Sequence, residues 1–210
     1  GQAGIEACTD YLVSGANDCV LFLTAAKANG GEGGGVFCAR TTDGGRTFAF
    51  VSRVTQSDRS FVIMPASVRL SESRILIAAR CREKSRGFTA AQNWIDLYAS
   101  DGNGATWRHF SRPVADTGKG DNPPTLTRLR YGRLCLAYAY RAAPCGIRAK
   151  LSADDGATWG KEIVLRDDAG NHDIGYPRTV QRPNDMMVTV YYFNNRPEGE
   201  RYIAATLWEP

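Results

Sequence analysis

The stretch Ser152-Ala-Asp-Asp-Gly-Ala-Thr-Trp159 recurs, with variations, at two earlier places in the chain. Residues 41–48, TTDGGRTF, are the first copy, and residues 100–107, SDGNGATW, are the second. All three fit the pattern Ser/Thr-x-Asp-x-Gly-x-Thr-Trp/Phe, except that the second copy has Gly102 in place of the aspartate. Each copy lies between two apolar runs, so each predicts the turn of a β-hairpin.

The residue types of this motif indicate how such a turn is held. An aspartate carboxylate can accept hydrogen bonds from the backbone N–H groups that follow it. The glycine can adopt a positive φ at little steric cost, and the final aromatic ring can bury a large apolar surface under the turn. We therefore expect the second turn, which lacks the aspartate, to be held less tightly than the other two.

A longer repeat surrounds the motif. Residues 68–80, 127–139 and 180–192 resemble one another, and each predicts a strand, a tight turn and a second strand. Together with the hairpin of the motif, each unit has four strands, and repeated four-stranded units are typical of the blades of a β-propeller. The sequence predicts an all-β propeller in a single domain over 1–210, with blades at 1–56, 57–114, 115–167 and 168–210. The last unit has no copy of the motif.

Composition excludes several classes of function. The 210 residues carry a net charge of +4, from 26 basic and 22 acidic residues, and no run of Lys or Arg indicates a nucleic-acid partner. No apolar run approaches the length needed to cross a membrane, and no stretch predicts a signal peptide. The cysteines have no zinc spacing, so we predict no metal site.

The six cysteines allow two interpretations. Three of them, Cys38, Cys81 and Cys135, lie in or beside apolar strands, where a free cysteine behaves as a small hydrophobic residue. This placement favours free thiols over disulfides for the set, which is Cys8, Cys19, Cys38, Cys81, Cys135 and Cys145. The cellular compartment is left open by this pattern.

The repeated motif is similar to the Asp-box repeats of bacterial sialidases (neuraminidases). The resemblance extends over nearly the whole chain and is strongest from 122 to 210. It implies a sialidase-like propeller of four-stranded Asp-box blades, with about four of six blades present and the N-terminal blades missing. The motif is specific for the fold but weak for function, since it lies on the outer turns of the blades and other glycosidases and non-enzymes carry it too.

The resemblance also implies a set of site residues. Sialidases hold the carboxylate of the sugar with three arginines and use a tyrosine, activated by a glutamate, as the nucleophile, with an aspartate as acid/base. Arg80, at the end of 73–80, resembles the second arginine, Arg148 resembles the third, and Tyr176 resembles the nucleophile. The position of the glutamate falls on Met64-Pro65. The first arginine and the acid/base aspartate belong to an N-terminal blade that this interpretation leaves out of the chain.

Other residues are candidates on position alone. Arg141 ends another second strand, and Arg178 lies two residues from Tyr176, so that both side chains point to one face of a strand. Asp173 and Asp121 precede inner strands, where the loops of a propeller meet its central pocket.

Each candidate also has a structural explanation. The arginines suit solvated strand ends or ion pairs, including a pair between Arg178 and Asp173, and the aspartates suit caps and turns. His172 suits an exposed loop. The alternating tyrosines, among them Tyr138, Tyr191 and Tyr192, suit packing.

These observations predict a sialidase-like glycoside hydrolase that removes a terminal, acidic sugar without a metal or organic cofactor. Two alternatives remain open. A carbohydrate-binding propeller without catalysis is favoured by the missing glutamate, and a scaffold that binds another protein through its loops is the third hypothesis. An incomplete propeller would expose a blade face and strand edges, which predicts self-association.

Overall fold

The computed structural model describes residues 4–25, 34–55, 60–83, 92–120 and 122–210. Within them lie fifteen β-strands in four antiparallel sheets. The first two sheets consist of β1 (Ile5–Val13), β2 (Cys19–Ala25), β3 (Val36–Thr41) and β4 (Ala49–Arg53), and of β5 (Ser60–Arg69), β6 (Ile75–Glu83), β7 (Asn93–Ser100) and β8 (Arg108–Val114). The last two consist of β9 (Thr125–Arg128), β10 (Leu134–Tyr140), β11 (Gly146–Ser152) and β12 (Ile163–Arg166), and of β13 (Gly175–Gln181), β14 (Met187–Phe193) and β15 (Tyr202–Trp208).

The four sheets are successive blades of a β-propeller. Strands pair in chain order within every sheet, and the first strands β1, β5, β9 and β13 contact one another from blade to blade. This confirms the predicted fold class, and each sheet lies inside one of the predicted repeat units. Among the described residues the last blade has three strands rather than four.

The core lies between the blades. Strand residues alternate between the two faces of a sheet, and both faces of an inner blade are apolar because each meets a neighbouring blade. Leu76, Leu97 and Leu136 are fully buried between the second and third blades. Phe22 and Ile77 occupy the same kind of layer between the first and second blades. Burying one such side chain is worth about 1.5–3 kcal/mol, so these layers hold the blades together.

All three copies of the repeated motif form hairpin turns, as predicted. In the first, Asp43 Oδ1 accepts hydrogen bonds from the Arg46 and Thr47 amides at 2.9 and 3.0 Å. In the third, Asp154 Oδ1 accepts from the Thr158 amide at 2.9 Å. The second turn, at 100–107, has no carboxylate at this place and is closed by other bonds.

The aromatic residues that end the motif pack backwards onto the preceding blade. Trp107 Nε1 donates to Ser52 Oγ at 3.1 Å, and Trp159 Nε1 lies 3.4 Å from Ser111 Oγ, each across a blade interface. Phe48 is 52% exposed, so the prediction that it is buried was wrong. The physical reason is its position, since the described chain has no blade before the first one.

The five cysteines with described side chains are free thiols, and the Cys8 side chain lies outside the described set. Burial raises the pKa of Cys38 to about 11 and that of Cys135 to about 12, so these thiols stay protonated at neutral pH. No helix in the described part of the chain has the length and apolar character needed to cross a membrane.

Candidate functional site

One end of the propeller collects polar and aromatic side chains. The repeated turns lie at the other end, where the third and fourth strands of each of the first three blades are joined. The candidate end carries the segments that link the blades, including 115–120, 122–124 and 167–174, and the connections after β10 and β14. Sequence candidates Arg80, Arg141, Asp173 and Tyr176 all lie at or near strand ends on this side.

Two equivalent bulges aim side chains across the centre of this end. The register of β5 shifts between Ile63 and Pro65, and that of β13 shifts between Gly175 and Arg178. Met64 and Tyr176 lie within these shifts with φ values of 53° and 51°. A bulge re-aims its side chain, and a positive φ in a residue other than glycine requires support from its surroundings. As a result the Tyr176 hydroxyl, on the last blade, lies 4.0 Å from Met64 Sδ, on the second blade.

Side-chain hydrogen bonds hold both bulges in place. The Met64 amide donates to Thr24 Oγ1 at 3.1 Å, and the Tyr176 amide donates to Asn122 Oδ1 at 3.2 Å. Asn122 is buried, and its Nδ2 donates to the Ile174 carbonyl at 3.1 Å. A Cβ at Gly175 would lie 2.1 Å from Asn122 Nδ2, so only glycine fits there. The third blade thus fixes the bulge of the last blade.

Tyr192 connects this tyrosine to a charged network. Its ring centroid is 5.9 Å from that of Tyr176, at an interplanar angle of 44°. Its hydroxyl donates to Asp173 Oδ1 at 2.8 Å and accepts from Arg141 Nη2 at 2.8 Å. Arg201 Nε reaches Asp173 Oδ2, also at 2.8 Å. We refer to Tyr176, Tyr192, Asp173 and Arg141 as the tyrosine cluster.

The protonation states within the tyrosine cluster follow from these bonds. The hydrogen bond from Tyr192 and then the Arg201 guanidinium lower the pKa of Asp173 below its ordinary value. Burial, together with the bond to Asp173, raises the pKa of Tyr192 to about 12. At neutral pH the Asp173 carboxylate is therefore ionised and the Tyr192 phenol is protonated.

Arg141 braces this end of the molecule. Its Nε and Nη2 donate to the Ile174 carbonyl at 3.0 and 2.8 Å, and its Nη1 donates to the Gly120 carbonyl. It also borders a shallow depression of about 310 Å³ whose lining includes Lys119 and His172. His172 is exposed, as predicted.

Arg80 reaches the same centre from the second blade. Its Nη1 lies 3.0 Å from Met64 Sδ, so the thioether lies between the guanidinium and the Tyr176 hydroxyl. The structure thus brings Arg80 together with Tyr176 through Met64, and brings Arg141 and Asp173 to Tyr176 through Tyr192.

Arg148 lies elsewhere. Only 4% of its side chain is exposed, and Nε is 3.2 Å from Glu162 Oε1 inside the third blade. Its Nη2 donates to the Pro144 carbonyl at 3.0 Å and its Nη1 donates to the Arg166 carbonyl. These contacts tie strand ends of the third blade together, and they occupy the guanidinium that was predicted to hold a substrate.

Two further candidates also differ from expectation. Arg178 is exposed opposite Val190 of β14, and its Nη1 contacts the Pro177 carbonyl at 3.4 Å. Asp173 pairs with Arg201, so the predicted pair between Arg178 and Asp173 was wrong. Asp121 lies outside the described residues.

Sequence reasoning missed three members of this site. Tyr192 was assigned to packing, and neither Asn122 nor Arg201 was singled out. One signal was available, since a proline follows the bulged residue in both Met64-Pro65 and Tyr176-Pro177. The packing assignments of Tyr138 and Tyr191 are confirmed, because both are buried. The described residues contain no group of three or more side chains suited to a metal ion.

Comparison with solved structures identifies similar folds. A protein of unknown function from Dyadobacter fermentans is 25% identical, with a TM-score of 0.73, over 91% of this chain and 50% of its own. The GH93 α-L-arabinofuranosidase of Fusarium graminearum, in complex with arabinobiose, is 18% identical, with a TM-score of 0.67, over 97% of this chain and 62% of its own. The arabinanase Arb43A of Bacillus subtilis is 12% identical, with a TM-score of 0.64, over 97% of this chain and 72% of its own.

No protein-family model matches the chain, and no curated protein matches it in sequence. The chain spans 50% and 62% of the lengths of the first two structures. The low sequence identities to the two glycoside hydrolases indicate a shared fold. Both hydrolases act on arabinose-containing substrates according to their names, so these similarities support the propeller but not the narrower resemblance to sialidases.

Proposed function

We propose that this chain carries the sugar-binding centre of a propeller glycoside hydrolase that acts on a terminal sugar. The tyrosine cluster beside Arg80 is the observation that supports it. It combines an exposed aromatic ring, an ionised carboxylate, a protonated phenol and a cation within one end of the propeller. Sugar sites in proteins are built from such an aromatic surface and a few convergent polar groups.

Each member of the site has a role in this proposal. The Tyr176 ring is 41% exposed and offers a flat apolar surface for the face of a pyranose or furanose ring. Asp173 accepts hydrogen bonds from sugar hydroxyls, because its carboxylate is ionised at neutral pH. Asn122 and Gly175 act on the ring only through the backbone, by holding the bulge in which Tyr176 lies.

An acidic sugar is the finer part of the proposal. Arg80 Nη1 contacts a thioether, and sulfur is a weak acceptor. A ligand carboxylate within reach of this guanidinium would form a charge-assisted hydrogen bond, which is shorter and roughly twice as strong as a neutral one. Arg80 therefore favours a sugar with a carboxylate over a neutral sugar.

A binding site without catalysis is the second candidate. Glycoside hydrolysis requires a nucleophile or base and a proton donor. If Tyr176 is the nucleophile, it requires a base to accept its proton, and among the described residues its hydroxyl contacts Met64 Sδ. A thioether cannot take that proton, which favours binding over turnover.

The test combines binding and hydrolysis. Calorimetry would measure the affinity for sialic acid and for arabinobiose, and release of a fluorogenic aglycone would measure turnover of an α-sialoside and an α-L-arabinofuranoside. The proteins would be the parent chain, Tyr176→Ala and Asp173→Asn, with Tyr131→Ala as a matched control, since Tyr131 is exposed on a different turn.

We expect tighter binding of the acidic sugar. Asp173→Asn is expected to lose at least about tenfold in affinity, since removing a hydrogen bond to a charged group costs about 1.5–3 kcal/mol. Tyr176→Ala is expected to lose affinity because it removes the apolar surface on which the sugar ring lies. Turnover lost in both variants would support the hydrolase. Binding without turnover would support the second candidate. A folded chain that binds neither sugar, or binds them equally well with Tyr176 replaced, would contradict the proposal.

A further inference from the structure

The inner hairpin turns of the last three blades bring together arginines that are far apart in the sequence. These turns, between the first and second strands of each blade, lie at 69–74, 128–133 and 182–186. Their charged residues are Arg69, Arg74, Arg128, Arg130, Arg133, Arg182, Glu72 and Asp185. Six arginines and two acidic residues give a net charge of +4, which equals that of the whole chain, so the rest of the sequence is balanced. We call these three turns the basic surface.

Hydrogen bonds from the arginines join the three turns into one continuous surface. Arg128 Nη1 donates to the Leu70 carbonyl at 2.8 Å, from the third blade to the second. Arg130 Nη1 and Nη2 donate to the Pro183 and Arg182 carbonyls at 2.8 and 2.6 Å, from the third blade to the last. The turns lie near the centre of the propeller, because they follow the first strands, which contact one another from blade to blade.

Carboxylates neutralise only part of this charge. Arg74 pairs with Asp101 at 2.8 Å, and Arg130 pairs with Asp185 at 3.0 Å. The arginines of the basic surface that form no ion pair within the described part of the chain are Arg69, Arg128 and Arg182. A bond to a backbone carbonyl leaves the positive charge uncompensated, and a guanidinium has five N–H donors, so these arginines can still bind anions.

Acidic residues lie outside the basic surface and limit the shape of a partner. The repeated turns, farther from the centre at the same end of the propeller, carry Asp43, Asp101, Asp154 and Asp155. A broad polyanion, such as a nucleic-acid duplex, would bring its own negative charges onto these carboxylates, and like charges in contact are costly. The arrangement therefore favours a thin, linear polyanion that follows the inner turns.

We propose that the basic surface binds an acidic polysaccharide, a linear chain that repeats carboxylate or sulfate groups. Guanidinium groups match such oxyanions with charge-assisted and partly bidentate hydrogen bonds. The choice of a carbohydrate rests on the proposed function, in which the tyrosine cluster at the opposite end holds a sugar. Single-stranded nucleic acid fits less well, because its sites stack successive bases on several aromatic rings, and the three turns contain one, Tyr131.

Biolayer interferometry with immobilised polymers is the test. The probes are heparin, which carries sulfate groups, polygalacturonate, which carries carboxylates, neutral dextran, and a single-stranded oligonucleotide. The parent chain is expected to bind one or both acidic polysaccharides and not dextran, and to bind more weakly as salt is added, because salt screens exposed charges. Binding of heparin alone would identify sulfate as the recognised group, and binding of polygalacturonate alone would identify carboxylate.

Charge-neutralising variants locate the binding on the molecule. The double variant Arg128→Gln/Arg182→Gln is expected to bind at least about tenfold more weakly, because it removes two charged donors. Arg182→Gln alone is expected to lose part of this affinity, and its side chain makes no hydrogen bond among the described residues, so the fold is not at risk. Arg196→Gln is the matched control, since Arg196 is exposed in the connection between β14 and β15, at the opposite end.

Tyr176→Ala separates this proposal from that of the tyrosine cluster. The variant is expected to bind the acidic polymer as the parent does, whether or not the parent binds small sugars. Circular dichroism would confirm that each variant is folded. The proposal would be overturned if neither acidic polysaccharide binds, if the double variant binds like the parent, or if Arg196→Gln or Tyr176→Ala loses as much affinity as the double variant. Tighter binding of the oligonucleotide than of both polysaccharides would overturn it as well.

Discussion

The second repeated turn and the third differ at one decisive position and still have the same backbone. The third turn has Asp154, which accepts from the amide and the hydroxyl of Thr158 at 2.9 and 2.6 Å. The second turn has Gly102 at that place. Yet the two residues that follow are left-handed in both turns, with φ values of 55° and 86° at Asp155 and Gly156 and of 50° and 89° at Asn103 and Gly104.

The bond that both turns share explains this agreement. Ser152 Oγ accepts from the Gly156 amide at 2.9 Å, and Ser100 Oγ accepts from the Gly104 amide at 2.8 Å. The first turn repeats the bond from Gly45 to the Thr41 hydroxyl at 2.8 Å. The hydroxyl and the left-handed glycine therefore define the turn, and the aspartate adds a second closure. The second turn lacks that closure, and its Asn103 amide donates to the Ser73 carbonyl at 2.7 Å, as the Gly44 amide of the first turn donates to the Asn17 carbonyl at 3.1 Å.

The largest effect is expected where the shared glycine is changed. Gly156→Ala forces a side chain onto a φ of 86° and places its Cβ 2.6 Å from Leu97 Cδ2 in the core. The left-handed backbone costs about 1 kcal/mol and the overpacking about 1–3 kcal/mol, so we expect a loss of about 3 kcal/mol in urea unfolding. Gly45→Ala is the control, since its φ is 90° but the nearest atom is 3.8 Å away. Equal losses in the two variants would show that packing under the third turn contributes nothing.

A smaller and pH-dependent effect is expected from the aspartate. The hydroxyl and amide of Thr158 lower the pKa of Asp154 from 3.8 to about 2. Because the folded pKa lies below the unfolded one, the carboxylate stabilises the fold above about pH 4, and this stability is lost as the pH falls from about 4 to 2. Asp154→Asn should lower Tm at pH 7, by less than Gly156→Ala does. The Tm difference from the parent chain should shrink towards pH 2, and a difference that stays constant with pH would contradict the role of the charge.

The part of this fold that could be predicted from sequence is the part that is local. The hairpin turns depend on residues within eight positions of one another, and the blade units depend on strand patterns that repeat along the chain. Phe48 was expected to be buried under its own turn. The equivalent residues Trp107 and Trp159 instead pack on the blade that precedes them, and the described chain has no blade before Phe48. The contacts of Arg148 with Glu162 and of Tyr192 with Asp173 were not predicted for the same reason, since each joins residues more than ten positions apart in the sequence.

The candidate site was partly predictable for a similar reason. Arg80, Arg141, Asp173 and Tyr176 were assigned from their places at strand ends, and these are the places where a propeller gathers side chains. The bulges at Met64 and Tyr176 change which way those side chains point, and a bulge depends on the register between two strands. The sequence signals of these bulges are the proline after each bulged residue and Gly175 before Tyr176.

The smallest effect is expected from installing the missing aspartate, and it tests the comparison most directly. Gly102 has no left-handed φ, and a Cβ there would meet only Ala105 Cβ, at 3.7 Å. The backbone around it matches the third turn, since the Ala105 amide donates to the Gly102 carbonyl at 3.0 Å as the Ala157 amide does to the Asp154 carbonyl at 3.2 Å. Gly102→Ala should stabilise the chain by about 0.5 kcal/mol, by restricting the unfolded state.

Gly102→Asp should exceed Gly102→Ala at pH 7, because Thr106 occupies the place from which Thr158 donates to Asp154. The gain is limited by Asp101, whose carboxylate already pairs with Arg74 at 2.8 Å and would repel a second negative charge. Thermal unfolding at pH 7 and pH 2 separates the two contributions, since only the carboxylate contribution disappears in acid. If Gly102→Asp and Gly102→Ala have the same Tm at both pH values, the serine hydroxyl and the two left-handed residues are sufficient, and the aspartate of the other turns adds stability only in their own surroundings.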